Sequence, residues 1–270
     1  MEIFVFFFIA AVFLIAGCSN KKSNDVTVLG WGTQYSDFPE TLKGKVKEVV
    51  QNTYRAVDSA GKTVNGALLT QKEYQDSGLM SGFHAFYNDS GVPLRHDYFG
   101  DNSQVNWSHV NEIANGKVVK EKWVSHDTVG GYALFNYNDK GFVDNIPMLF
   151  ADTIYGKLIL TNDDKGHTIG MKVYNSKDVF TNRVSYTLNP EGKTIEVDHY
   201  LPNDSLVSKL LLSYNDHGGF DNVKICSKTG NIKTEASGIY TYDDKGNWIR
   251  SVWTVNGKPM YIDERSYVYY

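Results

Sequence analysis

The residue types that most often carry out chemistry are plentiful in this sequence, but they do not fall into a familiar catalytic motif. The chain has seven histidines and 31 aspartates and glutamates among its 270 residues. Zinc ligands occur at short fixed spacings, such as two histidines four apart on a helix or paired cysteines, and no such spacing is present. A Gly-x-Ser-x-Gly elbow, a phosphate-binding glycine loop and a dinucleotide fingerprint are also missing. We therefore predict no metal, no cofactor and no catalytic residue.

The acids and histidines have a simpler interpretation. Most acids fall in turns, where their side chains bond to nearby backbone N–H groups. Residues 162–166 lack the alternating ligand spacing and the terminal Glu of a calcium loop. His96 and Asp97 are neighbours in a predicted strand, so they point to opposite faces. We interpret the histidines as ordinary surface, turn or strand residues, namely His84, His96, His109, His126, His167, His199 and His217.

The first cysteine follows a segment that predicts export. Residues 3–15 form an unbroken apolar run, too short for a membrane-spanning helix and typical of a signal peptide, although Met1 and Glu2 supply no positive charge. Ile15, Ala16, Gly17 and Cys18 resemble the lipobox of bacterial lipoproteins. The resemblance implies a signal peptide over 1–17, a lipid on Cys18 that binds a membrane, and a cell-envelope location. A polar tether with the lipidated cysteine is expected over 18–40.

The net charge argues against nucleic-acid binding, and the cysteine content argues against an intramolecular disulfide. The net charge of −4 is mild and both signs are interspersed, whereas nucleic-acid binding calls for a basic stripe. With Cys18 acylated, Cys226 has no partner for an intramolecular disulfide. We predict that Cys226 is a small buried residue in a strand.

A repeat of about 25 residues dominates the rest of the chain. Turn motifs that begin with Asn or Asp end in Gly66, Gly91, Gly116, Gly141, Gly166, Gly192, Gly218 and Gly246. A second, looser set of turns lies between them, for example at 125–127, 175–177, 202–204, 228–230 and 256–257. Asn, Asp and Gly in these positions suit type I turns followed by a glycine bulge. A chain that reverses every 12 or 13 residues forms one hairpin per repeat.

The segments between the turns are typical of strands. They are rich in β-branched and aromatic residues, and in 194–200 polar residues alternate with Ile195, Val197 and His199. We therefore predict an all-β fold over 41–270, an antiparallel meander of hairpins that forms one long twisted or curled sheet. Its last strand, residues 265–270, is aromatic and is expected to need cover from curling or from a partner chain.

The last repeat carries a family resemblance. Tyr240, Tyr242-Asp243, Gly246-Asn247-Trp248, Asn256-Gly257 and the closing tyrosines resemble the YD, or Rhs-type, repeats of lipoproteins from Bacteroidetes-like bacteria. Residues 42–54 are similar to the way in which such proteins begin. The resemblance implies β-hairpin repeats and the cell envelope, and it implies no catalytic residue.

Aromatic residues are the remaining functional signal. They make up 14% of the chain, more than a single layer of sheet can bury, and exposed rows could stack on sugar rings or anchor a protein. The candidate binding aromatics are Trp107, Trp123, Trp248, Trp253, Tyr240 and Tyr242.

These observations favour a membrane-anchored envelope lipoprotein that binds protein or glycan without catalysis. One alternative is a carbohydrate-active enzyme, which needs two carboxyl groups facing each other across a groove. Another is a structural or assembly component in which the edge at 265–270 pairs with a second chain.

Overall fold

The computed structural model describes residues 26–29, 39–70, 72–73, 82–101 and 104–270, and antiparallel strands account for most of them. The strands are β1 (Val26–Leu29), β2 (Pro39–Leu42), β3 (Val46–Ser59), β4 (Lys62–Leu68), β5 (Phe83–Tyr87), β6 (Pro93–Phe99), β7 (Val105–Ala114), β8 (Lys117–Ser125), β9 (Thr128–Leu134), β10 (Asn136–Tyr137), β11 (Val143–Phe150), β12 (Thr153–Asn162), β13 (Thr168–Asn175), β14 (Phe180–Leu188), β15 (Thr194–Tyr200), β16 (Leu206–Tyr214), β17 (Phe220–Ser227), β18 (Ile232–Tyr242), β19 (Trp248–Val255) and β20 (Lys258–Tyr269).

The turn at 138–142 shows how the repeat reverses the chain. Gly141 donates its N–H to Asn138 O at 2.8 Å, and Asn138 donates to Phe142 O at 2.9 Å. The Asn138 side-chain oxygen accepts from the N–H groups of Lys140 at 3.1 Å and Phe142 at 3.0 Å. Gly141 has a φ of 80°, which glycine adopts without a Cβ clash. This is the turn that the Asn/Asp-x-x-Gly pattern predicts.

The two predicted sets of turns lie at opposite ends of the sheet. One end, called the lower end here, carries the connections at 88–92, 115–116, 138–142, 163–167, 189–193, 215–219 and 243–247. The other end, called the rim, carries the connections at 60–61, between Gly100 and Gln104, and at 126–127, 151–152, 176–179, 201–205, 228–231 and 256–257. One prediction was wrong: Asn65 and Gly66 lie inside β4, and the turn is formed by Ala60 and Gly61 with φ values of 54° and 79°.

The main sheet closes on itself. Strands β11 to β20 pair in sequence order, β20 then pairs with β3, β3 with β5, and β5 to β9 continue in order. The circuit is completed by β9 and β11, where Gly131 lies opposite Phe150. The all-β antiparallel prediction is confirmed, but the sheet is a closed barrel of 16 strands rather than an open curled one. Closure lets every strand of the circuit satisfy its backbone hydrogen bonds on both sides.

One face of this closed sheet, called the inner face, carries the apolar core. Side chains alternate along each strand, so that in β12 Gly156, Leu158 and Leu160 are buried while Lys157 and Ile159 between them are partly exposed. The core cluster includes Val49, Ala85, Ala133, Met148, Leu158, Leu160, Val184, Val197, Leu210, Leu212 and Val223. The predicted division between a buried and a wetter face therefore holds for β12, whereas in β15 Val197 is buried but Ile195, predicted on the same face, is exposed.

The aromatic strand at the C-terminus has no free edge. Strand β20 lies between β19 and β3, and Tyr267 is opposite Val49. Of the two kinds of cover expected for this strand, curling of the sheet supplies it: its hairpin neighbour β19 lies on one side and the distant strand β3 on the other, so neither edge is free to pair with another chain. Cys226 is buried with a free thiol, as predicted.

The predicted signal peptide over 1–17 and the lipobox-like Ile15, Ala16, Gly17 and Cys18 lie outside the described residues. Within the ranges that are described, no helix has the length and apolar character needed to cross a bilayer.

Candidate functional site

Trp107 in β7 presents a partly exposed indole ring, called the aromatic platform here, that stacks on a buried tyrosine. The sheet register places it opposite Tyr98 of β6. Their ring centroids are 4.1 Å apart and the ring planes differ by 10°. Tyr98 is 2% exposed and Trp107 is 37% exposed. Tyr98 therefore holds one face of the indole, and much of the rest of the ring stays accessible.

A buried carboxyl group lies next to this platform. Nδ1 of His109 is 2.9 Å from Oε1 of Glu121, and Trp123 donates its indole N–H to the same oxygen at 2.8 Å. The other oxygen, Oε2, is buried and has no hydrogen-bond partner among the described residues. His109 packs edge-on against Trp107, with ring centroids 4.6 Å apart.

Burial controls the protonation of this group of residues. It raises the pKa of Glu121 well above its ordinary value, with an opposing contribution from the Trp123 hydrogen bond. It lowers the pKa of His109 well below the ordinary value. The pKa of His96 is lowered by burial first and then by the positive charges of His109, Arg265 and His84. Low dielectric disfavours every charged form, so the neutral imidazole of His96 is the preferred state.

An arginine fixed on a tryptophan lies further along the inner face. The guanidinium carbon of Arg265 is 3.7 Å from the ring centroid of Trp248 and 5.5 Å from that of Phe83. Arg265 also donates its Nε–H to Gln51 at 2.8 Å. A guanidinium stacked on an indole keeps its in-plane donors available for recognition.

Ring contacts join these two groups into one surface. Phe83 and His96 have centroids 4.5 Å apart, and His96 and Tyr98 have centroids 4.6 Å apart. We call the connected set the aromatic belt. Its members are Trp248, Arg265, Phe83, His96, Tyr98, Trp107, His109, Glu121 and Trp123. The belt runs across β19, β20, β5, β6, β7 and β8, so strands far apart in the sequence supply it.

The other candidate aromatics adjoin the Trp248 end of the belt. Tyr240 packs edge-on against Trp248 and Trp253, at centroid distances of 5.9 and 6.1 Å. Tyr242 lies closer to the lower end, where it stacks on His217 at 4.1 Å and its hydroxyl accepts from Asn215 at 2.9 Å. All six aromatics chosen from the sequence are thus in or beside one surface, and Tyr242 supports a turn.

Sequence reasoning missed the polar members of the belt. His96, His109, Glu121 and Arg265 were not selected, although His96 and Asp97 do point to opposite faces as predicted. Asp97 accepts from Ser108 Oγ at 2.5 Å, away from the His96 stack. The sequence did contain a signal for two of them, because residues two apart in a strand share a face. His109 lies two residues from Trp107, and Glu121 lies two residues from Trp123.

Other tyrosines of the repeats are structural. The hydroxyl of Tyr137 donates to Val118 O at 2.7 Å, and that of Tyr214 to Thr194 O at 2.7 Å. Tyr267 makes the same kind of bond to Trp248 O at 2.8 Å. Each bond reaches back 19 or 20 residues and joins neighbouring repeats. Burial raises the pKa of Tyr137 to about 12, which fits a hydroxyl that acts only as a donor.

The carboxyl groups of the site do not form a recognisable pair. Asp263 accepts from Thr53 Oγ1 at 2.6 Å and from Ser251 Oγ at 3.0 Å. Strands β3, β5, β6 and β7 separate it from Glu121 along the sheet. The enzyme alternative therefore stays a prediction. No cluster of three His, Cys, Asp or Glu side chains suited to a metal ion occurs among the described residues.

The fold defines the class of an all-β protein with a closed antiparallel sheet. No known family matches the chain, and no curated protein does. Solved structures with low similarity include porin-like proteins from Bacteroides uniformis and Bacteroides vulgatus. The first is 10% identical over 83% of this chain and 96% of that one, with a TM-score of 0.37. The second is 13% identical over 83% and 98%, with a TM-score of 0.40. TcdB2-TccC3 without its hypervariable C-terminal region is 11% identical over 81% of this chain and 12% of that chain, with a TM-score of 0.31.

Proposed function

We propose that the protein is a lipid-anchored binding module of the bacterial cell envelope that holds a glycan against the aromatic belt. The observation that carries the proposal is Trp107, an indole that is 37% exposed and stacked 4.1 Å from a buried tyrosine. An accessible indole whose other face is held by a buried ring offers a flat surface on which a sugar ring can stack. The role requires no catalysis.

The chemistry of the belt suits a sugar better than a protein surface. A sugar ring offers an apolar C–H face that packs on an indole, and hydroxyls that accept from Arg265 and its neighbours. The belt lies on the inner face of a closed sheet, so a ligand can reach it only from the two ends of the sheet. Its buried histidines are neutral, which favours an uncharged, hydroxyl-rich ligand.

The anchored location rests on sequence features. The apolar run, the lipobox-like Ile15 to Cys18 and the polar tether support export and lipidation. The resemblance of 240–270 to YD repeats supports the same compartment. Residues 43–45 precede β3, which begins at the lower end with Val46, so a tether would join the body at that end.

Ligand binding is tested with one aromatic change and a matched control. We expect Trp107→Ala to raise the Kd for a bound oligosaccharide at least tenfold, about 1.4 kcal/mol, because it removes the stacking platform. Candidates come from an array of envelope and host glycans, with affinities then measured by calorimetry. Tyr155→Ala removes an aromatic that is 64% exposed outside the belt and should leave Kd unchanged. Equal losses in both variants, or binding only to peptides, would contradict the proposal.

Anchoring is tested in intact cells. The native protein should incorporate labelled palmitate and fractionate with membranes, and Cys18→Ala should do neither, since the acylated thiol is gone. Protease shaving of the same cells then distinguishes the surface from the periplasm. Cleavage in whole cells indicates surface exposure, whereas protection until the outer membrane is opened indicates a periplasmic site. Membrane fractionation of Cys18→Ala at the native level would refute the lipid anchor.

A further inference from the structure

Exposed apolar side chains are concentrated at the rim. Most of the exposed large apolar residues in the described part of the chain lie within three residues of the eight rim connections. Tyr155 is 64% exposed, Phe150 57%, Val179 55% and Ile232 53%. Phe150 and Tyr155 flank the same connection, but every one of the eight connections has at least one such residue, so the apolar groups form a ring rather than a patch on one side. One from each connection is Val57, Val105, Val129, Phe150, Val179, Leu201, Ile232 and Met260. Monomeric proteins rarely expose contiguous apolar surface of this kind.

Exposed charged side chains at the rim form an acidic arc and a basic arc on opposite sides, while the acids of two intervening turns, Asp178 and Asp204, are paired with Lys157 and Arg183. Asp127 and Asp152 lie in adjacent connections, because β9 pairs with β11. Lys228 and Lys258 lie at the β17–β18 and β19–β20 turns. In a ring of eight rim connections, three lie between Asp127 and Lys228 in either direction, and three lie between Asp152 and Lys258. All four side chains are exposed. The acidic arc is therefore diametrically opposite the basic arc.

We propose that the rim is a self-complementary interface through which two copies of this chain associate end to end. A twofold axis in the plane of the rim superposes one ring of apolar side chains on the other. The same rotation brings Asp127 against the second copy's Lys258 and Asp152 against its Lys228. Each contact occurs twice, as an isologous interface requires.

The size of the rim fits a stable dimer. Sixteen strands about 4.8 Å apart give a perimeter of roughly 77 Å, and an annulus about 10 Å wide then covers roughly 800 Å² per copy. That area matches the standard protein interface of about 800 Å² per partner. A lipid surface is the poorer partner, because the acidic arc would oppose anionic headgroups. A tether that enters near Val46 joins the opposite end of the sheet, so it leaves the rim unblocked.

The test exchanges charges on the purified full chain. Asp127→Lys with Asp152→Lys places like charges in both contacts, as does Lys228→Glu with Lys258→Glu. Sedimentation at micromolar concentration should show a dimer for the unaltered chain and at least tenfold weaker association for each variant. An equimolar mixture of the two variants should dimerise again, because the exchanged arcs attract. None of these residues belongs to the aromatic belt, so the result does not depend on glycan binding.

The control exchanges acidic residues at the lower end. Asp139→Lys with Asp216→Lys alters two exposed turn residues and should leave the dimer intact. Circular dichroism checks that every variant folds. A monomeric unaltered chain, or a mixture that fails to associate, overturns the proposal. Binding of the monomer to neutral phosphatidylcholine vesicles, lost in Tyr155→Ser, would also overturn it by assigning the rim to a lipid surface.

Discussion

Replacing Gly131 with alanine is expected to lower the free energy of unfolding by about 3 kcal/mol. Gly131 lies on β9 opposite Phe150 of β11, where the sheet closes. A Cβ there would be 2.6 Å from Leu149 O, 3.0 Å from the Trp123 ring and 3.1 Å from the Phe150 ring. The contact with a backbone oxygen cannot be relieved by a side-chain rotation, so the β9–β11 pairing must shift. Urea unfolding measures the loss.

The neighbouring glycine is the matched control. A Cβ on Gly130 would lie 3.5 Å from Phe150 Cε2, which is ordinary van der Waals contact. Gly130→Ala should therefore change the unfolding free energy by less than about 1 kcal/mol. Hydrogen exchange should be faster at the amides of β9 and β11 in Gly131→Ala alone. Equal stability of the two variants would show that β9 and β11 are not packed as closely as described.

Two buried residues, His96 and Glu121, should make the free energy of unfolding depend on pH, and their contributions should have opposite signs. The pKa of His96 in the folded state lies below its ordinary value of 6.5, so its contribution to stability is present above pH 6.5 and is lost as the pH falls. The pKa of Glu121 is raised above its ordinary value of 4.5. Its contribution is present below that pH and is lost as the pH rises toward the raised value.

Single substitutions should separate these two contributions. Below pH 6.5, His96→Phe should lower the slope of unfolding free energy against pH by up to the one-proton limit of about 1.4 kcal/mol per unit, since one proton no longer binds only to the unfolded chain. Above pH 4.5, Glu121→Gln should raise the slope within the same limit, because the folded state no longer holds an extra proton. Urea titrations across the pH range give the slopes.

An exposed histidine is the control for this experiment. His126 lies at the rim and is exposed, so His126→Gln should leave the slope as it is. Slopes are compared rather than absolute stabilities, because His96→Phe also alters the packing against Tyr98. If both buried variants kept the slope of the unaltered protein, the protonation states assigned to His96 and Glu121 would be wrong.

Local chemistry in the sequence was sufficient to predict the hairpins. Asn138 and Gly141 form the expected turn because each has a local function: one accepts backbone N–H groups and the other adopts a positive φ. Asn65 and Gly66 show the limit of this rule. These two residues resemble a turn motif but lie inside β4. The pairing of β4 with β3 at Ala56 and Val57 decides where the chain reverses.

The sequence by itself therefore determined the strand repeat, the antiparallel class and the residue types of the aromatic surface, because turns and alternation depend on neighbours in the chain. Only the tertiary structure decided that the sheet closes, through pairings of β20 with β3 and of β9 with β11. Those contacts join segments about 200 residues apart in the first case, as at Thr53 and Asp263, where the sequence separation is 210. Sheet register between distant strands depends on the packing of the whole inner face. That register brings Trp107, His96 and Arg265 onto one surface and places the charged turns at opposite sides of one rim.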